Sequence, residues 1–333
     1  MDWKVDRTVD RTADRRVDQQ LDRQLDSELL CLGVSWADGA PALDLSDVGT
    51  AAAVRVPLLT HRLGYRVATP GRFCTGSSAF VPDENRTARV PCPNRRPAVK
   101  SGQCGQCAAR DEFKFAHRFH TGGYASPALT RYMAQPHWLY IATFADGSSK
   151  VGTAVDQRKR TRLDEQGAIM ASYVARAADG KSVRIAEDSV TSQLAVTQYR
   201  RRNAKTAALA SPAPHDTIAA NHTRTVERAT ELLAAWKPDS GITPVTESWT
   251  PPAELNLFRD RRPTGGWTAY PNDLKTGDHG FVVEACSGPA VLARIESAAD
   301  APRYIADLGE LKGARIILGD YASSASMFQD SLF

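Results

Sequence analysis

The chain has 333 residues, of which 42 are lysine or arginine and 38 are aspartate or glutamate, so its formal net charge at pH 7 is +4. No run of about eighteen apolar residues occurs, so the sequence predicts no membrane-spanning helix. The first residues are charged and lack the apolar segment of a secretory signal, which predicts a cytoplasmic protein with reduced cysteines.

The N-terminal segment, residues 1–28, is a near-repeat of four residues built on aspartate. A period of four drifts around a helix of about 3.6 residues per turn, so its apolar positions cannot share one buried stripe. Disorder or a solvated helix is therefore predicted. The segment holds six basic and eight acidic residues, which leaves an excess of six positive charges on the remainder. That mild bias permits a polyanionic partner such as DNA or RNA.

The rest of the chain changes character several times, and its patterns predict an α+β protein. Apolar alternation between turn residues predicts small β modules over residues 29–72 and 261–333. Residues 73–134 are rich in cysteine, proline and arginine, which predicts a zinc module and a connector. Residues 135–210 combine a hairpin with helices, and residues 211–260 combine a helix with a linker.

Two longer helices are predicted in the second half of the chain. Amphipathic patterning predicts one from Val183 to Leu209 and another from Thr217 to Trp236. The proline-containing run from Lys237 to Glu254 is predicted to be a linker.

Four cysteines lie close together in the sequence: Cys74, Cys92, Cys104 and Cys107. The last two form a Cys-Gly-Gln-Cys knuckle, in which two thiolates can reach one tetrahedral ion. The first two are separated by seventeen residues and form no second knuckle. A structural Zn²⁺ site is predicted, with unliganded or redox-active cysteines as the alternatives. The other two, Cys31 and Cys286, lie in apolar β-like surroundings and are predicted to be buried thiols.

The stretch from Gln135 to Ala168 predicts a hairpin and a helix. Residues 138–144 form the first strand, an Asp-Gly-Ser-Ser run the turn, and residues 150–153 the second strand. Three polar side chains are thereby expected to meet from separate elements: Tyr140, Lys150 and Arg162.

The motifs in this stretch resemble the uncharacterised prokaryotic family of domain of unknown function 2797. The resemblance spans roughly Cys74 to Leu209, with a cysteine-rich segment followed by three motifs in order. These motifs are Gln135-Pro136-His137-x-x-Tyr140, Lys150-Val151-Gly152 and Thr161-Arg162-x-x-x-Gln166-Gly167-Ala168.

The central part also resembles the GIY-YIG nuclease fold, a small mixed sheet with helices. In those nucleases one strand carries Gly-Ile-Tyr, the next Tyr-Ile-Gly, the first helix an arginine and a later helix a metal-binding glutamate. Tyr140 and Gly152 match the pattern, whereas Leu139 and Lys150 stand where it has Gly and Tyr. The helix arginine is Arg162 or Arg160, and the sequence leaves both open. Glu187 is the candidate metal ligand.

The resemblance implies metal-dependent hydrolysis of nucleic-acid phosphodiesters. Tyr140 would act as the base, with Lys150 favouring its ionised form, and Arg162 would hold a phosphate oxygen. Glu187 would bind Mg²⁺ or Mn²⁺ beside the leaving oxygen. His137 would assist proton transfer or cap the entry to the strand.

Structural interpretations of the same residues remain open. A strand tyrosine is often a core residue, and charged residues at a strand end or on a helix are often solvated. The basic group near the end of the first long helix would either complement the helix dipole or contact nucleic-acid phosphates. It comprises Arg200, Arg201, Arg202 and Lys205. Two other functions remain open: a nucleic-acid-binding protein without catalysis, and an enzyme for an anionic small molecule.

Overall fold

The computed structural model describes residues 27–99, 102–253, 258, 267–295 and 301–324. Most of the aspartate repeat lies outside these residues. The described part is α+β, with a nine-stranded sheet, a four-stranded sheet and a separate two-stranded hairpin. Within these ranges, every helix is too short or too polar to span a bilayer.

The larger sheet is built from both ends of the chain. Its strand order is β11-β14-β13-β12-β4-β15-β1-β2-β3, and every pair is antiparallel except β11 with β14. Apolar residues such as Leu43, Phe281 and Ile316 form its main core. The strands are β1 (Leu29–Ser35), β2 (Ala42–Asp47), β3 (Ala53–Pro57), β4 (Arg62–Thr69), β11 (Thr268–Ala269), β12 (Asp278–Ser287), β13 (Ala290–Arg294), β14 (Arg303–Asp307) and β15 (Arg315–Leu318).

This sheet corrects the prediction of separate N-terminal and C-terminal β modules. Strand β4 pairs with β12 and with β15, and β1 pairs with β15, so residues 29–72 and the C-terminal strands share one sheet. The two segments interleave because each contributes strands with apolar residues on one face. Neither could bury that face fully within its own few strands.

The smaller sheet is antiparallel throughout and has the order β10-β9-β7-β8. Its strands are β7 (His137–Thr143), β8 (Ser149–Val155), β9 (Met170–Ala177) and β10 (Ile242–Ser248). The predicted central hairpin is confirmed as β7 and β8. Strand β10 corrects the linker prediction for residues 237–254. It is an edge strand, where Pro244 is tolerated beside a register shift because its missing N–H is not needed in a central ladder.

Helices cover the smaller sheet on both sides. The described α-helices are α1 (Gly105–Arg110), α2 (Pro127–Met133), α3 (Lys159–Asp164), α4 (Gly180–Leu194), α5 (Arg202–Ala210) and α6 (His215–Ala234). One apolar cluster joins Leu139 and Ile141 of β7 to Val183 of α4 and Ala229 of α6. A second joins Tyr140 to Leu163 of α3. Helix α6 confirms the helix predicted from Thr217 to Trp236 within a few residues.

The helix predicted from Val183 to Leu209 is interrupted. Helix α4 ends before Ala195, whose φ is 56°, and α5 begins at Arg202. Between them Thr197 lies beside Lys150, and its carbonyl accepts a hydrogen bond from the Val151 N–H at 2.9 Å. Pairing with the edge of β8 therefore replaces helix in a segment that includes β-branched residues.

The two-stranded hairpin consists of β5 (Ser77–Val81) and β6 (Arg86–Val90). Cys74 precedes it and Cys92 follows it, and its register pairs Ser77 with Val90. The hairpin therefore brings together two cysteines that are separated by seventeen residues. Helix α1 carries Cys107 and begins directly after Cys104.

Candidate functional site

Tyr140 and Gly152 lie directly opposite each other on β7 and β8. The tyrosine side chain covers the glycine so closely that a Cβ at Gly152 would lie 2.5 Å from the phenol oxygen. Any larger residue would have to displace the ring or the strand. The glycine of the second motif is thus explained by the space that the first motif's tyrosine occupies.

The Tyr140 side chain is fully buried. Its hydroxyl forms no hydrogen bond of normal geometry with the described residues. Burial raises the pKa of Tyr140, and the nearby Arg162 charge opposes that rise. The phenol is therefore protonated at neutral pH and offers an unused donor.

Lys150 lies on the same side of the hairpin as Tyr140. Its Nζ is 5.7 Å from the centroid of the Tyr140 ring, and the residue is 7% exposed. Burial lowers the pKa of Lys150 to about 7, and the charges of Lys205 and Arg162 lower it further, whereas Glu187 raises it. An amine with this pKa exchanges a proton near neutral pH.

Helix α4 brings Glu187 to the same site. The residue is 3% exposed, and its Oε2 accepts a hydrogen bond from Arg184 Nη1 at 2.5 Å. Burial raises the pKa of Glu187, whereas Arg184 and Lys150 lower it. The carboxylate is thus the negative partner of at least two cations.

The two candidate arginines of α3 differ in position. Arg162 acts electrostatically on Tyr140 and Lys150 and has no ion-pair partner in the described ranges. Arg160 is 66% exposed, with its Nε 3.9 Å from Asp164, and its guanidinium lies beside Gly39 of the larger sheet's first turn. The structure therefore brings Arg162 to the site and leaves Arg160 outside it.

His137 lies at the start of β7 and is 4% exposed. Its Nδ1 is 2.8 Å from the carbonyl oxygen of Gln135, and burial lowers its pKa. It lines a cavity of about 210 Å³ together with Arg162 and Arg184. The histidine is therefore next to the site, with one ring nitrogen already used by the backbone.

The family model described as "Protein of unknown function (DUF2797)" matches residues 92–265. The chain belongs to the DUF2797 family. Neither a curated protein nor a solved structure matches it. The family prediction is confirmed, and the matched range includes the whole smaller sheet with Tyr140, Lys150, Arg162 and Glu187.

The basic group in this DUF2797 protein is largely engaged by the chain itself. Arg200 pairs with Asp146 in the β7–β8 turn at 2.5 Å. Arg202 pairs with Asp307 of β14 at 2.6 Å. Lys205 Nζ donates to the Gln166 carbonyl at 2.8 Å, and burial lowers its pKa to about 8. Arg201 is exposed.

The four cysteines converge in the DUF2797 protein. All four are buried, and their sulfurs lie within 4.8 Å of one another, with Cys92 and Cys104 3.9 Å apart. Zn–S bonds in a tetrahedron place neighbouring sulfurs about 3.8 Å apart. The cluster could therefore hold a metal ion such as zinc. Cys31 and Cys286 are both buried, as predicted.

Several charged residues near the site were not predicted. Arg184 precedes Glu187 by three positions on a helix, a spacing that puts both on one face and could have identified it. Arg89 and Lys312 come from the hairpin and the larger sheet, and they line one cavity with Arg162. Both lie outside the range that matches the DUF2797 family, and no local signal links them because they are far apart in the sequence.

Proposed function

We propose that this DUF2797 protein hydrolyses phosphodiester bonds of nucleic acid on a GIY-YIG-like core. The observation that carries the proposal is the meeting of Tyr140, Lys150, Arg162 and Glu187 around one strand pair. Their elements follow one another as strand, strand, helix and later helix, in the order that the resemblance implies. Hydrolysis needs a proton acceptor and a cation for the phosphate oxygens, and these residues supply both.

Lys150 is the better proton acceptor of the pair in the hairpin. A pKa of about 7 leaves much of the amine neutral at physiological pH, whereas the pKa of Tyr140 is raised. Lys150 also stands where the nuclease pattern has its second tyrosine. The roles expected from the sequence are therefore exchanged in the proposal. Lys150 accepts the proton of the attacking water through its one lone pair, and the Tyr140 hydroxyl donates a hydrogen bond to a phosphate oxygen.

Arg162 binds a non-bridging phosphate oxygen in this proposal. Its guanidinium has no carboxylate partner in the described ranges, and it lines two cavities. A planar fork with free donors matches phosphate geometry better than an ammonium does.

Glu187 is the candidate ligand for the divalent cation that the GIY-YIG resemblance implies. A carboxylate that holds Mg²⁺ or Mn²⁺ must present a free oxygen, usually alongside water and substrate phosphate. Glu187 is buried and bonded to Arg184, so the arrangement does not fit a resident divalent cation. The metal proposed for the cysteine cluster is Zn²⁺, in a structural role, because four thiolates suit it.

Binding of nucleic acid without cleavage is the second candidate. It is favoured by the same Glu187–Arg184 ion pair, which neutralises the one carboxylate among the proposed catalytic residues. In that case Arg162 would contact phosphate with no hydrolysis following.

The test is a cleavage assay on single-stranded and duplex DNA and RNA, with Mg²⁺ or Mn²⁺ added or withheld. Withholding is preferred to chelation, because a chelator would also remove metal from the cysteines. Arg162→Ala is expected to lower the cleavage rate by about 100-fold, the scale seen when one electrostatic stabiliser is removed. Arg160→Ala, on the same helix, is the matched control and should retain the wild-type rate.

The outcomes separate the two candidates. Cleavage that survives Arg162→Ala would contradict the assigned site. Absence of cleavage under every condition, together with a salt-sensitive gel shift, would replace hydrolysis by binding.

A further inference from the structure

A cavity of about 660 Å³ lies where the three sheets of the molecule meet. Its walls come from β1 and β2 of the larger sheet, β6 of the hairpin and α3 beside the smaller sheet. We call it the basic cavity, because its lining has five cations and two carboxylates. These are Arg89, Arg158, Arg162, Arg202, Lys312, Asp44 and Glu165.

Both acids of the basic cavity have cationic partners of their own. Arg158 Nη2 lies 2.7 Å from Glu165 Oε1. The other acid, Asp44, has Arg55 Nε at 4.0 Å. Each carboxylate therefore offsets the remaining cations only from a distance, Asp44 acting on Arg89 and Glu165 on Lys312.

Of the other three arginines in the lining, only Arg202 is paired, with Asp307. In the part of the chain that the structure describes, no carboxylate lies within ion-pair distance of Arg89, Arg162 or Lys312. Among the described residues, Arg89 Nη1 donates to the Thr75 carbonyl oxygen at 3.1 Å. Three cations from three different structural units thus face one open space, and none of them is in ion-pair contact with a carboxylate of the described residues.

Burial and mutual repulsion disfavour the charged forms of the unpaired cations in the basic cavity. Burial lowers the pKa of Lys312, and the charge of Arg89 lowers it further. Burial lowers the pKa of Arg89 and the charges of Asp44 and Asp111 raise it, but the residue is exposed, so its desolvation is partial. Unpaired cations in a partly desolvated space cost free energy unless an anion joins them. Such an arrangement is what a preorganised anion site requires.

We propose that the basic cavity binds phosphate groups, those of the nucleic-acid strand next to the phosphate held by Arg162. This inference rests on the proposed function. Arg162 lines both the basic cavity and the smaller cavity beside His137, so a strand placed on Arg162 extends naturally into the basic cavity. Arginine forks and a lysine ammonium are the usual protein partners of phosphate oxygens.

The test measures equilibrium binding of a labelled single-stranded oligonucleotide to the full-length protein, without added Mg²⁺ or Mn²⁺, at several salt concentrations. A gel at the end checks that the oligonucleotide is intact. Lys312→Gln and Arg89→Gln are each expected to weaken binding about tenfold and to reduce the salt dependence by about one phosphate contact. The matched control is Lys275→Gln, an exposed lysine that pairs with Asp273 and Glu310 outside the cavity.

A second readout excludes simple misfolding. Lys312→Gln removes one of three mutually repelling charges, so the ligand-free variant should melt at the same temperature as wild type or above it. Weaker binding by a protein that is no less stable supports the proposal. Equal binding by wild type, Lys312→Gln and Arg89→Gln overturns it.

A parallel experiment with inorganic tripolyphosphate tests whether the cavity binds a small phosphate compound instead of a nucleic-acid strand. If it stabilises wild type but not Lys312→Gln, while no oligonucleotide binds, the cavity is a phosphate site and its ligand is a small molecule. If neither probe binds, the cavity proposal is wrong. If oligonucleotides bind through Lys312 but are never cleaved, the cavity stands and the hydrolase proposal fails.

Discussion

The cysteine cluster and the site around Lys150 are both polar clusters enclosed by the fold, yet their charges differ in sign. We call the second, formed with Tyr140, Arg162 and Glu187, the Lys150 site. Four buried thiols lie within 4.8 Å of one another, an arrangement that a cation completes. At the other site the charges of Arg162, Arg184 and Lys205 act on Lys150 together with one carboxylate, Glu187, so positive charge is in excess and an anion completes it. Enclosed polar clusters can thus serve stability or ligand binding. The sign of the stability change when a group is removed distinguishes the two roles.

Removal of metal from the cysteine cluster should give the largest effect. Structural zinc contributes on the order of 10 kcal/mol to the folding of small zinc peptides, and the segment around Cys74 to Cys107 has few apolar residues to replace it. Purified protein is expected to contain one zinc per chain by elemental analysis. Chelation should lower the melting temperature by more than about 10 °C.

The matched variants are Cys104→Ser and Cys286→Ala. Cys104→Ser should lose the metal, whereas Cys286→Ala removes a buried thiol elsewhere and should retain it. Metal-free protein that melts at the same temperature after chelation would contradict a structural role for the cluster.

Lys150→Met should have the opposite effect on stability. Removing a buried cation relieves its desolvation and its repulsion from Lys205 and Arg162, so the melting temperature should rise at pH 7. Hydrolysis should fall by at least about 100-fold, because the proton acceptor is lost. Parallel thermal melts and cleavage assays measure both changes, and Lys181→Met, an exposed lysine on α4, is the control.

The contribution of Lys150 to stability also depends on pH. The pKa of Lys150 is about 7 in the folded protein and about 10.4 in an unfolded chain. Between these values the unfolded state binds more protons, so wild-type stability should gain up to about 1.4 kcal/mol per pH unit from this group as pH rises. Lys150→Met should lose that gain. Cleavage by wild type should rise with pH through about 7. A Lys150→Met protein that is both inactive and less stable would make Lys150 a structural residue.

The sequence predicts the central hairpin and the cysteine cluster because both depend on local patterns. Apolar and β-branched residues on each side of the Asp-Gly turn fix β7 and β8. Thiolate chemistry identifies Cys104 and Cys107. The β5–β6 hairpin then places Cys74 and Cys92, although their spacing alone does not suggest a pair.

The parts that were missed depend on contacts between distant residues. Strand β4 pairs with β12 across roughly two hundred residues, and β10 adds to β9 although Pro244 favours a linker. No periodicity within a short window records such pairings. The exchanged roles of Tyr140 and Lys150 have the same origin. Burial sets both pKa values, and burial is known only after the sheets and helices pack.

A third enclosed polar cluster, around His222, carries no charge. His222 of α6 is 6% exposed, and its two ring nitrogens contact hydroxyls from β7 and β9. Nδ1 lies 2.8 Å from Thr143 Oγ1 and Nε2 lies 3.0 Å from Ser172 Oγ. Hydroxyls rotate to donate or accept, so a neutral imidazole is satisfied here while an imidazolium is disfavoured by burial. Burial accordingly lowers the pKa of His222.

The smallest expected effect is therefore an acid-dependent loss of stability. As pH falls below about 6.5 the unfolded chain binds a proton at His222 before the folded protein does, so the free energy of unfolding falls by up to about 1.4 kcal/mol per pH unit. Denaturant unfolding at pH 7 and pH 5 should show a smaller difference in His222→Gln than in wild type. Part of the pH dependence of stability should remain in His222→Gln, because burial also lowers the pKa values of His137 and His279. The exposed-site control His117→Gln should match wild type. If His222→Gln retains the full pH dependence, the proton is taken up elsewhere, and the neutral cluster does not contribute to the acid sensitivity of the fold.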